Sequence, residues 1–138
     1  MQKKIKSLIL AGLIFVGGTG IVGCTKASDD GKVKVTLILD EGGVNDQSFN
    51  QSAWEGALEA KEQYGVEINY IEAKQESDYA TNIDMAIDQD ADLVIGVGFK
   101  LTDTIEEAAK TYPESKFAII DGTYEDIPEN YIGKWNIK

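Results

Sequence analysis

Leu39–Gly56 reads LDEGGVNDQSFNQSAWEG and concentrates groups that a plain turn does not need. Asp40 and Asp46 are carboxylates, which only accept hydrogen bonds; one carboxylate can take both O–H groups of a vicinal diol. Asn45 and Asn50 each offer a donor and an acceptor, a combination able to read the edge of a heterocyclic base. Phe49 supplies a flat apolar face for a ring, and Gly42-Gly43 let backbone approach closely. Two further stretches repeat this chemistry: Gly96-Val97-Gly98-Phe99-Lys100, with a second exposed-type aromatic, and Asp121-Gly122-Thr123, with a third carboxylate. Together they suit a neutral ring bearing a diol. Phosphate fits poorly, because neither a G-x-G-x-x-G nor a Walker pattern is present and two acids would repel it.

Each residue also has a structural reading. Asp46 or Ser48 can cap a helix, Phe49 can be a core residue of that helix, Trp54 can simply pack, and Asp40 and Asp121 can be turn residues. What favours a site is the convergence of three such loops.

Composition removes several alternatives. The chain of 138 residues has no His, a single cysteine (Cys24), and basic residues that are all Lys; its net charge is -11. A His-dependent triad, a His-ligated metal and an internal disulfide are excluded. Nucleic acid is a poor partner for so acidic a body. No cofactor or metal is expected.

The first residues form a targeting segment. Lys3, Lys4 and Lys6 precede the apolar run Ser7–Val16, and Ile21-Val22-Gly23-Cys24 resembles a lipobox. Residues 1–23 are accordingly expected to be a lipoprotein signal peptide. Cys24 is the expected lipidation site, and residues 24–31 a polar tether. Multiple acyl chains at Cys24 would give stable attachment to the outer face of the cytoplasmic membrane. Loss of the leader removes three Lys and makes the body more acidic still.

The loops must be positioned by the elements between them. β-rich runs at Val33–Leu39, Val66–Ala73, Asp92–Gly98 and Lys116–Ile120 alternate with helical patterns at Gln47–Tyr64, Ser77–Gln89 and Thr102–Tyr112. Ser77 is the expected cap of the second helix, whose Ala80, Ile83, Ala86 and Ile87 point inward. Thr104 with Glu107 is an expected capping box of the third. Tyr131–Lys138 can open a fifth strand. Short links and strict alternation predict an α/β fold, a Rossmann-like parallel sheet flanked by helices, over residues 32–138. The predicted strand order is 2-1-3-4, which puts Asp40, Gly98 and Asp121 at one edge. Ligands of open parallel sheets bind at that carboxyl edge, where strand order reverses.

A lipobox, a strand ending in Asp, then Gly-Gly-x-Asn-Asp-x-Ser-Phe-Asn-Gln and Trp-Glu-Gly resembles the basic membrane protein family. DLVIGVGF at Asp92–Phe99 and KFAIIDG at Lys116–Gly122 match its next two landmarks, and the resemblance runs to about Ile132. It implies a type I periplasmic-binding-protein lobe. It also implies a membrane-anchored receptor that passes purine nucleosides to the permease of an ABC importer, without enzymatic activity. By position, Asp121 would bind ribose hydroxyls, Phe49 would stack on the purine, and Asn50 and Asp40 would hydrogen-bond near it. Asp46, Gly98 and Phe99 complete the expected ligand set. The family's receptors have two lobes and much longer chains, so the sequence resembles the N-terminal lobe only, and a single lobe lacks the second wall of a cleft. Residue chemistry alone leaves two other readings open: a sugar receptor of the same fold, and a carboxylate-dependent hydrolase using Asp40, Asp46 and Asp121 with Mg²⁺.

Overall fold

The computed structural model describes residues 31–124 and 129–135. The signal peptide, Cys24 and all of the tether but Gly31 lie outside the described residues. Five strands alternate with three helices: β1 (Lys34–Leu39), α1 (Phe49–Tyr64), β2 (Glu67–Glu72), α2 (Tyr79–Asp88), β3 (Leu93–Val97), α3 (Thr102–Thr111), β4 (Lys116–Ile120) and β5 (Tyr131–Trp135). All neighbours pair in parallel, in the order β2-β1-β3-β4-β5, so the predicted order 2-1-3-4 holds and β5 extends it.

Alternation along each strand sorts side chains between two layers. Ile38, Val94, Phe117 and Ile119 face α2 and α3, and join Ile83, Ala86, Leu101, Ile105 and Ala109 in one core. Leu37, Leu39 and Val97 face α1, and pack with Ala53, Trp54, Ala57 and Tyr70. The division follows from crossover handedness. The chain moves one way from β1 to β2 and the other way from β2 to β3 and from β3 to β4, and right-handed links then put the helices on opposite faces. Trp54 is indeed a packing residue, edge-on to Tyr70 with ring centroids 4.8 Å apart.

α3 starts at Thr102 as expected, whereas the starts of α1 and α2 and the caps of α2 and α3 differ from the sequence expectation. α1 begins at Phe49 because Gln47 takes a left-handed φ of 55° and the loop closes around Asp46. α2 is preceded by a 3-10 turn, Glu76–Asp78, so Ser77 lies inside the helical winding. The Asp78 carboxylate instead accepts the Lys74 N–H. Within α2, Tyr79 rather than Ala80 is buried. α3 follows directly from the 3-10 turn Phe99–Leu101, which leaves Thr104 mid-turn and the Thr104–Glu107 box unformed; Thr102 Oγ1 donates to the Phe99 carbonyl instead.

The end of α3 is tied to the start of β5. Asn130 Nδ2 lies 2.9 Å, 3.0 Å and 2.9 Å from the carbonyls of Ala109, Tyr112 and Ser115, which a helix end would otherwise leave without donors. Tyr124 and Tyr131 pack edge-to-face over the same core.

Close approach of α3 to the sheet depends on Gly96 in β3. A Cβ there would fall 2.7 Å from Ile105 Cγ1 and 3.3 Å from Leu101 Cβ. Gly96→Ala should therefore destabilise the fold by about 1–3 kcal/mol through overpacking. Urea unfolding checks this, and the cost of Gly96→Ala should shrink in an Ile105→Ala background, where the Cγ1 it would meet is absent. An unchanged midpoint for Gly96→Ala would mean that α3 does not press on β3 as described.

Candidate functional site

Because the strands are parallel, β1, β3 and β4 all end at one edge of the sheet, which brings Asp40, Gly98 and Asp121 there together. Strand order reverses between β1 and β3, since α1 leaves on one face and α2 and α3 lie on the other. The edge is therefore the crevice where open parallel sheets bind ligands.

The β1–α1 loop holds itself in shape with its own carboxylates. Asp40 Oδ1 accepts the Gly42 N–H at 2.9 Å and the Asn50 side-chain amide at 2.7 Å. Asn50 is 1% exposed, so this bond satisfies a buried donor. Asp46 accepts three backbone N–H groups: Ser48 at 2.8 Å, Gln51 at 3.0 Å and Asn50 at 3.1 Å. These are orphan donors of the first turn of α1, so Asp46, and not Ser48, is the residue that caps it. Partial burial pushes the Asp46 carboxyl up, but the N–H groups of Gln51, Ser48 and Asn50 outweigh it and hold the pKa below the ordinary 3.8.

Two acids that the sequence reading did not single out anchor the loop to its neighbours. Glu72 Oε1, at the end of β2, accepts the Val44 N–H at 2.7 Å. Glu41 Oε2 accepts the Tyr79 O–H at 3.0 Å and Lys100 Nζ at 3.1 Å. Glu41 is held below its usual range by a backbone N–H and by Lys100. Burial, and then Glu41, push the Tyr79 phenol up, so it stays a donor. The available signal was the strand-end position of Glu72; for Glu41 the partners come from elements distant in sequence and no local pattern marks them.

Asp121 differs from these acids. Among the described residues its carboxylate takes no hydrogen-bond or ionic partner, and it is half-buried at the end of β4 with a left-handed φ of 60°. Such strained residues concentrate at functional sites. Gly98, with φ 95°, donates its N–H to the Ile120 carbonyl at 3.0 Å, which ties the loop after β3 to the residue before Asp121. Phe99 is 68% exposed and Phe49 43% exposed, so neither ring is spent on the core.

The structure thus joins Asp40, Asp46 and Asn50 directly, joins Gly98 to the Asp121 strand, and leaves Phe49, Phe99 and the Asp121 carboxylate available. A depression of about 240 Å³ lies elsewhere: Lys34, Thr36, Glu67, Asn69 and Gln89 line it at the amino ends of β1 and β2, and none of the seven expected ligand residues does. It sits at the wrong edge for this fold. Among the described residues no three acidic or Cys side chains converge to hold a metal ion, and no helix is long and apolar enough to cross a membrane.

Comparison with known proteins gives a consistent set of relatives. The sequence model of a family described as "Bmp: ABC transporter substrate-binding protein PnrA-like" matches residues 32–134. The ABC transporter nucleoside-binding protein BmpA of Lactococcus lactis subsp. cremoris is 38% identical over 137 residues, which cover 91% of this chain and 38% of that protein. An uncharacterized lipoprotein of Pyrococcus furiosus is 35% identical over 134 residues, covering 96% of this chain and 33% of the relative. Among solved structures, an ABC transporter system solute-binding protein from Aeropyrum pernix K1 superposes with a TM-score of 0.66 at 32% identity, covering 72% of this chain and 27% of that one. The chain therefore spans less than two fifths of the length of these relatives.

The Asp46 cap carries a prediction with a defined sign. Asp46→Ala should cost about 0.5–2 kcal/mol at neutral pH. Because the folded-state pKa is lowered, the stabilisation is complete above the ordinary carboxylate pKa and is lost as pH falls through the lowered value. Urea midpoints of wild type and variant should thus differ at neutral pH and converge as pH falls through the lowered Asp46 pKa. A gap that stays constant with pH would show that the charge on Asp46 is not what stabilises α1.

Proposed function

The chain belongs to the Bmp family of PnrA-like ABC transporter substrate-binding proteins, and on that premise we propose that its carboxyl edge binds a purine nucleoside for delivery to an importer permease. The observation that carries the reading is the contrast among the acids. Asp40, Glu41, Asp46 and Glu72 are engaged in building the loop, whereas the Asp121 carboxylate has no partner among the described residues and is half-buried with a left-handed φ of 60°. A carboxylate in that condition is suited to accept the two ribose hydroxyls, with Phe49 and Phe99 offering ring faces beside it. In this reading Asn50 and Asp40 shape the base-facing wall and Asp46 acts through α1.

Residues 1–23 act as a signal peptide, and Cys24 as the lipidated first residue of the mature chain, with residues 24–31 as a tether to the lobe at 32–138. The lipoprotein among the relatives supports this reading of the lipobox. Metabolic labelling with palmitate should mark the membrane-bound chain and disappear in Cys24→Ser. Equal labelling of the variant, or a wild-type chain that is not membrane-bound, would remove the anchor from the proposal.

Magnitudes set the expected affinity. Two charge-assisted hydrogen bonds to ribose contribute about 1.5–3 kcal/mol each, and one aromatic face about 0.5–1.5 kcal/mol. Association costs about 4–15 kcal/mol. The 138-residue chain should therefore bind inosine or guanosine at millimolar affinity or weaker, no tighter than about -4 kcal/mol. Calorimetry should show that weak binding for nucleosides, less for ribose or galactose alone, and less again for nucleoside monophosphates. Asp121→Ala should abolish the signal. A preference for monophosphates, or for galactose over inosine, would overturn the nucleoside reading.

A further inference from the structure

Glu41 Oε2 gathers donors from two other elements: the Tyr79 O–H of α2 at 3.0 Å, and Lys100 Nζ of the turn after β3 at 3.1 Å. The three residues come from the β1–α1 loop, α2 and the β3–α3 turn, so their junction bridges the crevice between β1 and β3. Phe99 sits immediately before Lys100. On its other side the Gly98 N–H is held by the Ile120 carbonyl at 3.0 Å, and the carbonyl of Phe99 itself accepts Thr102 Oγ1 at 2.7 Å. The Phe99 main chain is thus tied on both flanks and at its own carbonyl, while its ring stays 68% exposed. A large apolar ring that gains no burial, on a backbone fastened this firmly, is poorly explained by packing. It is well explained as a platform for another ring.

We propose that Glu41 and Lys100, with Tyr79, form a positioning junction that keeps the β3–α3 turn in register with the β1–α1 loop and so sets the Phe99 ring for stacking. The stacking role rests on the proposed nucleoside site; the junction itself does not. Tyr79 is 3% exposed and is the fixed member. The Lys100 and Glu41 side chains are 39% and 27% exposed, so solvent and salt reach the pair and global stability depends little on it.

The test uses the 138-residue chain with Lys100→Met, Glu41→Gln, the double variant and Lys100→Arg. Glu41→Gln keeps an acceptor for Tyr79 and loses the charge. Amide exchange over Gly98–Leu101 should accelerate about fivefold in either single variant. The double variant should go no further, and Lys100→Arg should stay at the wild-type rate. Added salt should accelerate exchange in wild type and leave Lys100→Met unchanged, while amides of β1 and β3 keep their protection in every variant. Unaltered exchange in Lys100→Met, or additive acceleration in the double variant, overturns the junction. On the same samples, carbon-labelled Phe resonances are followed with millimolar inosine. Phe99 should shift in wild type and Lys100→Arg and shift less in Lys100→Met. A Lys100→Met shift equal to wild type overturns the positioning role. No shift in wild type overturns the ring site and with it the stacking role, while the exchange data still decide whether the junction exists.

Discussion

The 2.7 Å hydrogen bond from the Asn50 side-chain amide to Asp40 Oδ1 is the constraint on which the carboxyl edge depends. It joins the end of β1 to the first turn of α1, and it does so inside the protein, where Asn50 is 1% exposed. A buried amide without an acceptor costs about 1–3 kcal/mol, so the loop has few other ways to close. The rest of the loop follows from that bond. A Cβ on Gly42 would lie 3.1 Å from Asp40 Oδ1 and 3.3 Å from Asn50 Nδ2, which explains a glycine there whose own backbone angle does not demand one. Gly43 is different: its φ of 68° is left-handed, and its neighbour Val44 is then delivered to Glu72.

These contacts answer why one loop contains so many acids. Backbone N–H groups at the start of α1 and in the turn before it have no helical or strand partner, and carboxylates are strong acceptors for them. Asp40, Asp46 and Glu72 serve that purpose, and Glu41 fastens the loop to α2 and to the next turn. The loop is consequently shaped before any ligand arrives. Preorganisation of this kind lowers the ordering cost of binding, which matters for a site built from few contacts.

The fold was legible in the sequence because its signals are local or periodic. Strand runs bounded by turns, helices of 3.6-residue period and strict alternation were enough for the parallel sheet and its order. Lys116–Ile120 was located to the residue and β1, β2 and β3 to within a residue at each end, while for the fifth strand only the start at Tyr131 was located. Helix starts were less legible. Capping from sequence assumes that the nearest Ser or Thr supplies the acceptor, whereas here Asp46 reaches forward across Gln47, and two 3-10 turns extend the winding backward past Ser77 and Thr104. The site was legible as a set of residue types, not as a division of labour. Nothing local separates Asp46, which caps α1, from Asp121, which has no partner among the described residues. Nor does anything near Glu41 in sequence announce Tyr79, 38 positions away, or Lys100, 59 away.

That division also bears on which ligands the edge can accept. The scaffold acids keep their charge, since hydrogen bonds to the carboxylates of Glu41 and Asp46 hold both below their ordinary values. Lys100 largely cancels the charge of its partner Glu41, so the field at the edge comes from Asp40, Asp46 and Glu72, which have no ionic partner among the described residues. A phosphate approaching Asp121 therefore meets a fixed negative field whose backbone donors are already committed to the loop. At an effective dielectric of about 20, the Asp121 carboxylate itself would oppose a phosphate placed about 4 Å away by about 4 kcal/mol, and the loop acids would add to that. Hydroxyl groups meet no such opposition, and a single carboxylate can take two of them. In the proposed nucleoside reading, the acids that build the loop would select against anions without touching the ligand, and Asp121 would be left to recognise the neutral diol.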